Sequence, residues 1–344
     1  MSKANVAGTA ARVALGLLAL GAVKVISKIN EFSFKDEVVI ISGGSRGLGL
    51  IMARRLGSEG AKLVLLARDE TELNRAIQEL TDDGMNAVSR VCDITDEQQV
   101  KDAVAFARDY FGTIDVLINN AGVIQVGPMD SMTKEDYEVA LNTHLWGVIY
   151  LTNAVLPIMR ENKSGRIVNI ASIGANISVP HLLPYCVSKF ALRGFSEGIS
   201  SELRKENIFV TTVCPGLMRT GSHINALFKG QNKKEYALFS ISNALPILSI
   251  DGDCAGKQIV EACRRGDAEL IITLQAQALS KLNGIFPELT TNIMKGVCNF
   301  LPTNETAEGD AGDTNVPGWQ SQSKVSPSVL TEPADSVSAK NNEI

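Results

Sequence analysis

The chain has 344 residues, 45% of them hydrophobic and 21% charged, with a formal net charge of -5, enough apolar material for one large or two ordinary domains with a sizeable core. No basic face and no interleaving of basic and aromatic residues marks a nucleic-acid partner. The six cysteines contain no C-x-x-C pair and the three histidines (His144, His181, His223) are scattered, which argues against a disulfide framework and a metal site and fits a reducing compartment.

The charge is unevenly placed. The first thirty residues carry Lys3, Arg12, Lys24 and Lys28 and no acid. Within them, residues 13–23 (VALGLLALGAV) form an apolar run between Arg12 and Lys24, short of the roughly 20 apolar residues that span a bilayer. Three readings of residues 1–30 stand: a membrane-associating helix, a helix packed on the protein or a partner, and a cleaved signal peptide.

From there short apolar runs alternate with helical patterns. Strands are predicted over residues 37–42, 62–67, 87–92, 114–118, 166–171, 209–213 and 269–273, and helices over 47–59, 70–83, 96–110, 134–160, 190–204 and 253–264. Near-continuous apolar strands separated by helices predict a parallel sheet covered on both faces, a doubly wound α/β fold over residues 31–274 with its ligand at the carboxyl ends of the strands. Residues 275–301 are apolar at helical spacing, with Lys281 and Lys295, and suit capping the pocket, pairing with another subunit or lying on a membrane. Beyond residue 302 seven acids face two lysines among Ser, Asn, Pro and Gly, a composition that predicts a disordered acidic tail over 302–344.

The first strand runs directly into Gly43, Ser45, Arg46, Gly47, Leu48 and Gly49 ahead of a helix. Glycines there allow a tight turn and let backbone N–H groups approach a pyrophosphate. The second strand ends in Ala67 and Arg68, where NAD binding would want an acid for the ribose 2′-OH. Arg68 with Arg46 suits a 2′-phosphate, so NADP(H) is expected over NAD(H). Asp93, after the third strand, is placed either to touch an adenine edge or to cap the turn at Thr95. Lys189 follows Tyr185 by four residues, one face of a helix, and a cation beside a phenol draws its pKa from about 10 toward neutrality, tuning it for proton transfer.

Taken together these pieces resemble the short-chain dehydrogenase/reductase family, in its classical branch, over residues 34–274. The glycine loop is similar to that family's T-G-x-x-x-G-x-G with Ser42 in place of Thr, and Asn119-Asn120-Ala121-Gly122 to its N-N-A-G motif. Ser172 falls on its catalytic Ser, Tyr185 and Lys189 on its Y-x-x-x-K, Asn142 on its catalytic Asn, and Pro215, Gly216 and Thr220 on the loop that closes over the nicotinamide. The resemblance implies a Rossmann fold and hydride exchange between NADP(H) and a carbonyl or secondary alcohol. In that scheme Tyr185 is the general acid/base and Lys189 tunes it and holds the nicotinamide ribose. Ser172 supports the substrate oxygen, and Asn142 holds a water that links Lys189 to solvent. Residues 217–250 are expected to shape a pocket for a hydrophobic, lipid- or steroid-like small molecule. A homo-oligomer is expected, in the cytoplasm, either free or attached to a membrane surface by residues 1–30. A nucleotide-binding regulatory protein without turnover is the alternative, and an epimerase or dehydratase of the same fold a third reading.

Overall fold

The computed structural model describes residues 32–303, 305, 307, 309–323, 325–329 and 331–344. The chain divides into two units, Met1–Ser33 and Phe34–Ile344; the apolar segment expected at residues 1–30, with its three readings, lies outside the described residues.

In the second unit strand and helix alternate from the start: β1 (Val38–Ser42), α1 (Gly47–Ser58), β2 (Lys62–Ala67), α2 (Glu70–Asp82), β3 (Ala87–Val91), α3 (Glu97–Phe111) and β4 (Val116–Asn119). Every residue of β1 and β4 is buried, because helices cover both faces of a parallel sheet. The helix ends follow local chemistry. The Asp69 side chain accepts from Glu72 N at the start of α2, and Asp96 accepts from Gln98 N and Gln99 N at the start of α3, which closes on Gly112 in the left-handed conformation.

A short strand β5 (Gln125–Val126) precedes α4 (Lys134–Leu141), which a reciprocal Thr133–Asp136 capping box opens. The helix predicted over residues 134–160 is not continuous: a π turn, Asn142–Trp146, separates α4 from α5 (Gly147–Asn162). Such wide turns recur at functional sites. Then come β6 (Gly165–Ile170), α6 (Leu183–Leu203), β7 (Ile208–Pro215), β8 (Leu217–Arg219), β9 (Leu227–Gly230), α7 (Asn232–Ala244), β10 (Ser249–Asp251), α8 (Gly252–Arg265) and β11 (Glu269–Ile272). Proline suits a first helical turn, and with Pro184 in that turn α6 starts at Leu183, seven residues before the predicted onset.

Seven strands form one parallel sheet in the order β11-β7-β6-β4-β1-β2-β3. The chain steps outward from β1 to β3 and then returns to the other side of β1, so the switch in direction lies between β1 and β4. The register there sets Ser42 beside Asn119 and Asn119 beside Asn169, aligning three carboxyl ends where this fold binds its ligand.

Residues 275–301 fold as two helices, α9 (Leu274–Ile285) and α10 (Pro287–Cys298). Leu274, Ile285, Phe286 and Phe300 are exposed there. The described residues of the expected disordered tail carry regular structure, β12 (Gly312–Pro317) and α11 (Glu332–Lys340). β12 pairs antiparallel with β9 in a small sheet with β5. Low apolar content predicts little area to bury, but it does not register polar anchors. Asn315 donates to the buried Asp136 at 2.8 Å, Asp335 pairs with the buried His223 at 2.8 Å, and the Asn232 amide donates to Ser321 at 3.0 Å.

Candidate active site

α6 carries Tyr185 and Lys189 on one face, as the spacing predicts, at the carboxyl ends of β6 and β7. Ser172 lies just past β6. Its hydroxyl oxygen accepts from Gly174 N at 3.0 Å, which folds the loop into a turn that faces α6. A side chain at Gly174 would meet the Tyr185 ring, Ser172 Oγ and Cys186 Sγ at 3.3–3.4 Å, so the three groups converge on one point. The Ser172 hydroxyl lies close enough to the phenol to favour its charged form. The Lys189 ammonium donates to the Ile170 carbonyl at 2.7 Å and lies 5.6 Å from the centre of the Tyr185 ring.

The electrostatics depart from the expectation that Lys189 draws the phenol toward neutrality. Burial pushes Tyr185 up to about 12, against the pull of the nearby Ser172 hydroxyl. Burial also pushes Lys189 down to about 7. Both charged forms lose water here, and desolvation outweighs the attraction that pairing would supply.

The π turn puts His144, wholly buried, into the same cluster. Its ring meets the Tyr185 ring edge-on, 5.5 Å between centres at 89°. Nε2 accepts from Val123 N at 3.1 Å, Nδ1 lies 2.7 Å from Ser188 Oγ, and Ser188 Oγ donates to the Tyr185 carbonyl at 2.8 Å. Since Nε2 accepts and the serine proton is committed, the proton sits on Nδ1. Burial and the Lys189 charge hold the imidazole well below its usual range, hence neutral. Asn142, two residues earlier, is exposed.

The loop from β1 to α1 holds the second half of the site. Asn120 Nδ2 donates to Ser42 O and Gly43 O at 3.2 and 3.0 Å, and Asn120 N and Ala121 N donate to Ser42 Oγ. A Cβ at Gly49 would come within 2.0 Å of Gly43 O, and one at Gly43 within 2.8 Å of Ala121 Cα, so the turn closes only on glycine. Asn119 donates to Asn169 at 2.8 Å and Asn169 to Ser196 at 2.9 Å, tying β4 and β6 to α6.

A family model described as short chain dehydrogenase matches residues 37–228. The chain belongs to the short-chain dehydrogenase/reductase family. It is 32% identical over 239 residues to a CLA biosynthesis dehydrogenase/reductase of Lactiplantibacillus plantarum, covering 63% of this chain and 82% of that one. Among solved structures it is similar to an actinorhodin polyketide ketoreductase with NADPH (29% identity, TM-score 0.61, 71% and 97% of the two chains). It is also similar to L-sorbose reductase of Gluconobacter frateurii complexed with NADPH and L-sorbose (26% identity, TM-score 0.64, 71% and 97%). The protein is thus an oxidoreductase acting on C=O or CH–OH groups.

Seen as a short-chain dehydrogenase/reductase, the chain departs from expectation at several positions. Asn142 lies off the inward stripe of its helix, and His144 occupies the place beside Tyr185 and Lys189. Arg46 is tied to Glu72 by a 2.5 Å ion pair, while Arg68 stands exposed at the end of β2. Asp93 takes the second of the two places expected for it, capping the turn at Thr95 and accepting from Thr95 N and Oγ1 at 2.9 and 2.8 Å. Pro215 ends β7, Gly216 packs near Thr273, and Thr220 is buried on the loop beyond.

Residues 341–343 reach the glycine loop itself. Gly47 N donates to Asn341 O at 2.8 Å, Asn342 Nδ2 donates to Ser45 O at 2.8 Å, and the Glu343 carboxyl lies 3.5 Å from Arg46. The start of α1 therefore holds a carbonyl oxygen and a carboxyl, acceptors of the kind a dinucleotide pyrophosphate presents. The loop fits that group. Leu48 lies in the same first turn and Gly122 packs under His144, whose Nε2 would be 2.9 Å from a Cβ placed there.

Proposed function

We propose that this oxidoreductase exchanges a hydride between NADP(H) and a carbonyl or secondary alcohol of a hydrophobic small molecule. One observation carries the reading: Ser172, Tyr185 and Lys189 converge beside the carboxyl ends of β6 and β7, next to a glycine loop that accepts an anionic group. Bound NADP(H) would supply or accept the hydride. Tyr185 gives its proton to the carbonyl oxygen in reduction and takes it back in oxidation. Ser172 donates a hydrogen bond to that oxygen, where negative charge grows. Lys189 would hold the nicotinamide ribose, the amides of Gly47 and its neighbours the pyrophosphate, and Arg68 a 2′-phosphate, which favours NADP(H) over NAD(H). The relatives solved with NADPH support the same choice.

The hydrophobic substrate class draws on the lining around the pocket. A cavity of about 350 Å³ opens among Pro128, Met129, Val179, Pro180, Leu183 and Cys298, with Asp130, Ser178 and His181 as its polar lining. From α9, Ser280 Oγ accepts from Asn176 Nδ2 at 2.7 Å and Asn283 donates to Asn176 O at 2.9 Å, so the extension caps the Ser172 loop on this side. A second copy of the chain is the partner we expect for the exposed Trp146, Val187 and Phe190.

The test is NADPH oxidation against paired panels of long-chain or polycyclic ketones and of small polar ones. Turnover of the apolar panel, with weaker rates on sugars, is the expected result. Turnover of the polar panel alone overturns the substrate class. NADPH binding without turnover of any carbonyl or alcohol favours the nucleotide-binding regulatory protein, a reading that draws on the segment seated at the glycine loop.

A further inference from the structure

We propose that His144, and not Asn142, positions Tyr185 for proton transfer, through a neutral imidazole that bridges the loop after β4 to the first turn of α6. The proposal rests on the oxidoreductase reading above. Its basis is a one-way chain of hydrogen bonds: Val123 N to His144 Nε2, His144 Nδ1 to Ser188 Oγ, and Ser188 Oγ to the Tyr185 carbonyl, at 3.1, 2.7 and 2.8 Å. Each group in it has one partner to give to and one to receive from, so the chain has a single arrangement. Val123 directly follows Gly122 of the loop that steadies β1 and β4, and Tyr185 bears the reacting hydroxyl. The imidazole is therefore the strut that fixes the phenol relative to the nucleotide loop. The edge-on ring contact with Tyr185 adds a lateral stop. A displacement of about 1 Å can lower a rate about 100-fold, so the strut acts on kcat. His144 touches no reacting atom and is a positioning residue.

Three substitutions separate this role from packing. His144→Phe keeps a ring of similar size and removes both hydrogen bonds. His144→Gln restores an acceptor and a donor on one side chain. Ser188→Ala removes the middle link. We expect kcat to fall about 10- to 100-fold in His144→Phe with both KM values moved less than about threefold, a smaller fall in Ser188→Ala, and recovery to within a few-fold in His144→Gln. Asn142→Ala should match the unsubstituted protein. Wild-type kcat in His144→Phe, or in Ser188→Ala should the Phe variant not fold, overturns the proposal, as does a larger loss in Asn142→Ala. If the unsubstituted protein turns over no carbonyl, the functional reading fails as well; if it turns over and only the substitution pattern fails, the inference alone falls.

A different observation carries a second inference: residues 341–343 hold the nucleotide site shut until NADP(H) displaces them. The segment spans the whole cleft. Asn341 O takes the Gly47 amide, and Asn341 Nδ2 donates to Thr220 O at 3.1 Å on the opposite loop. Asn342 Nδ2 also reaches Glu72 O at 3.0 Å, and Asn225 Nδ2 donates to the Glu343 carboxyl at 2.7 Å. α11 fastens it from outside through His223–Asp335 at 2.8 Å and Lys340–Asp253 at 2.7 Å, and Arg54 donates to Asn341 Oδ1 at 3.0 Å. A pyrophosphate needs the amide that Asn341 occupies, so binding and release of the segment are one event. Only the fraction of molecules with the segment released then binds, and the apparent Kd rises by that factor.

In the full-length protein the Asn342→Ala/Glu343→Ala double variant should bind NADPH at least about tenfold more tightly, with kcat at saturation unchanged. Hydrogen exchange reads the same event directly: saturating NADPH should speed exchange of the amides of residues 337–343. Equal or weaker NADPH binding in the double variant, or unchanged or slower exchange in those amides, overturns the inference.

Discussion

Lys189 donates a hydrogen bond to the carbonyl of Ile170 at 2.7 Å, while the Tyr185 phenol has the Ser172 hydroxyl for its polar neighbour. The two residues share a helix face yet answer to different partners. Each is pushed toward its neutral form by burial, the phenol up to about 12 and the ammonium down to about 7. The pair is thus poised: a group that restores charge to Lys189, such as a ribose hydroxyl or a substrate oxygen gaining electron density, acts on a site that begins nearly neutral.

Tyr185→Phe removes the hydroxyl proposed to exchange the proton and leaves the ring, its contact with His144 and the helix in place. Turnover should fall by about 10²- to 10⁴-fold, the usual worth of a positioned acid–base group. NADPH affinity, measured by fluorescence titration, should stay within about threefold of the unsubstituted protein, because the glycine loop and Arg68 are untouched. Normal turnover in this variant refutes the assignment.

Lys189→Met should inactivate the enzyme and stabilise it below neutral pH. The sign follows from the direction of the shift. Lys189 is pushed from 10.5 to about 7, so between those values the unfolded chain binds the proton and the folded chain does not, and stability rises with pH. Below about 7 the full cost of burying the ammonium is present. The melting temperature of Lys189→Met should exceed that of the unsubstituted protein by a constant margin below pH 7 that shrinks to nothing by about pH 10.5. A margin independent of pH would show that Lys189 is well compensated where it lies.

The sheet was legible because parallel strands buried on both faces read as continuous apolar runs, and β2 coincides with the run at residues 62–67. That Tyr185 and Lys189 share a helix face was legible because a four-residue offset has one meaning on a helix. The exposed setting of Asn142 was missed, because a motif position outweighed periodicity. The inward stripe of that helix, Asp136, Ala140, His144, Val148, Leu151 and Val155, is buried throughout and repeats at helical spacing, and Asn142 falls off it. That stripe was available in the sequence and points to His144. The fold of the described residues between 302 and 344 was not available. Asn315, Asp335 and Glu343 find partners 179, 112 and 118 residues away, and no local pattern encodes a polar contact at that range.

Cofactor choice should turn on Arg68 more than on Arg46. Arg68 is exposed at the end of β2, whereas Arg46 is paired with Glu72 at 2.5 Å. Arg68→Ala should lower kcat/KM for NADPH at least about tenfold while changing that for NADH little, as expected for a lost charge-assisted contact to a phosphate. Glu72→Gln removes the nearer of the two carboxylates beside Arg46 and should raise the preference for NADPH by a few-fold. Steady-state kinetics with both nucleotides decide this; a clear preference for NADH in the unsubstituted protein removes the role given to Arg68.

Lys229 and Asp136 form a fully buried ion pair, at 2.5 Å, that joins the second strand of the small sheet to the start of α4. Asp136 also accepts from Gln125, Thr133 N and Asn315, so it gathers β5, α4 and β12 at one point. Burial alone would raise its carboxyl, but the Lys229 ammonium, Thr133 N and Asn315 hold it below the usual range. Lys229→Met leaves the carboxylate buried with fewer donors and should cost about 3–5 kcal/mol. The Lys229→Met/Asp136→Asn double variant should recover much of that loss, because neither charge remains. A folded carboxyl below its unfolded value of 3.8 stabilises above that pH and ceases to as pH falls through the folded value. The gap between Lys229→Met and the unsubstituted protein, read by urea unfolding, should therefore be full at neutral pH and narrow below about pH 4. An equal gap at both pH values would assign the loss to packing of the lysine stem instead of to its charge.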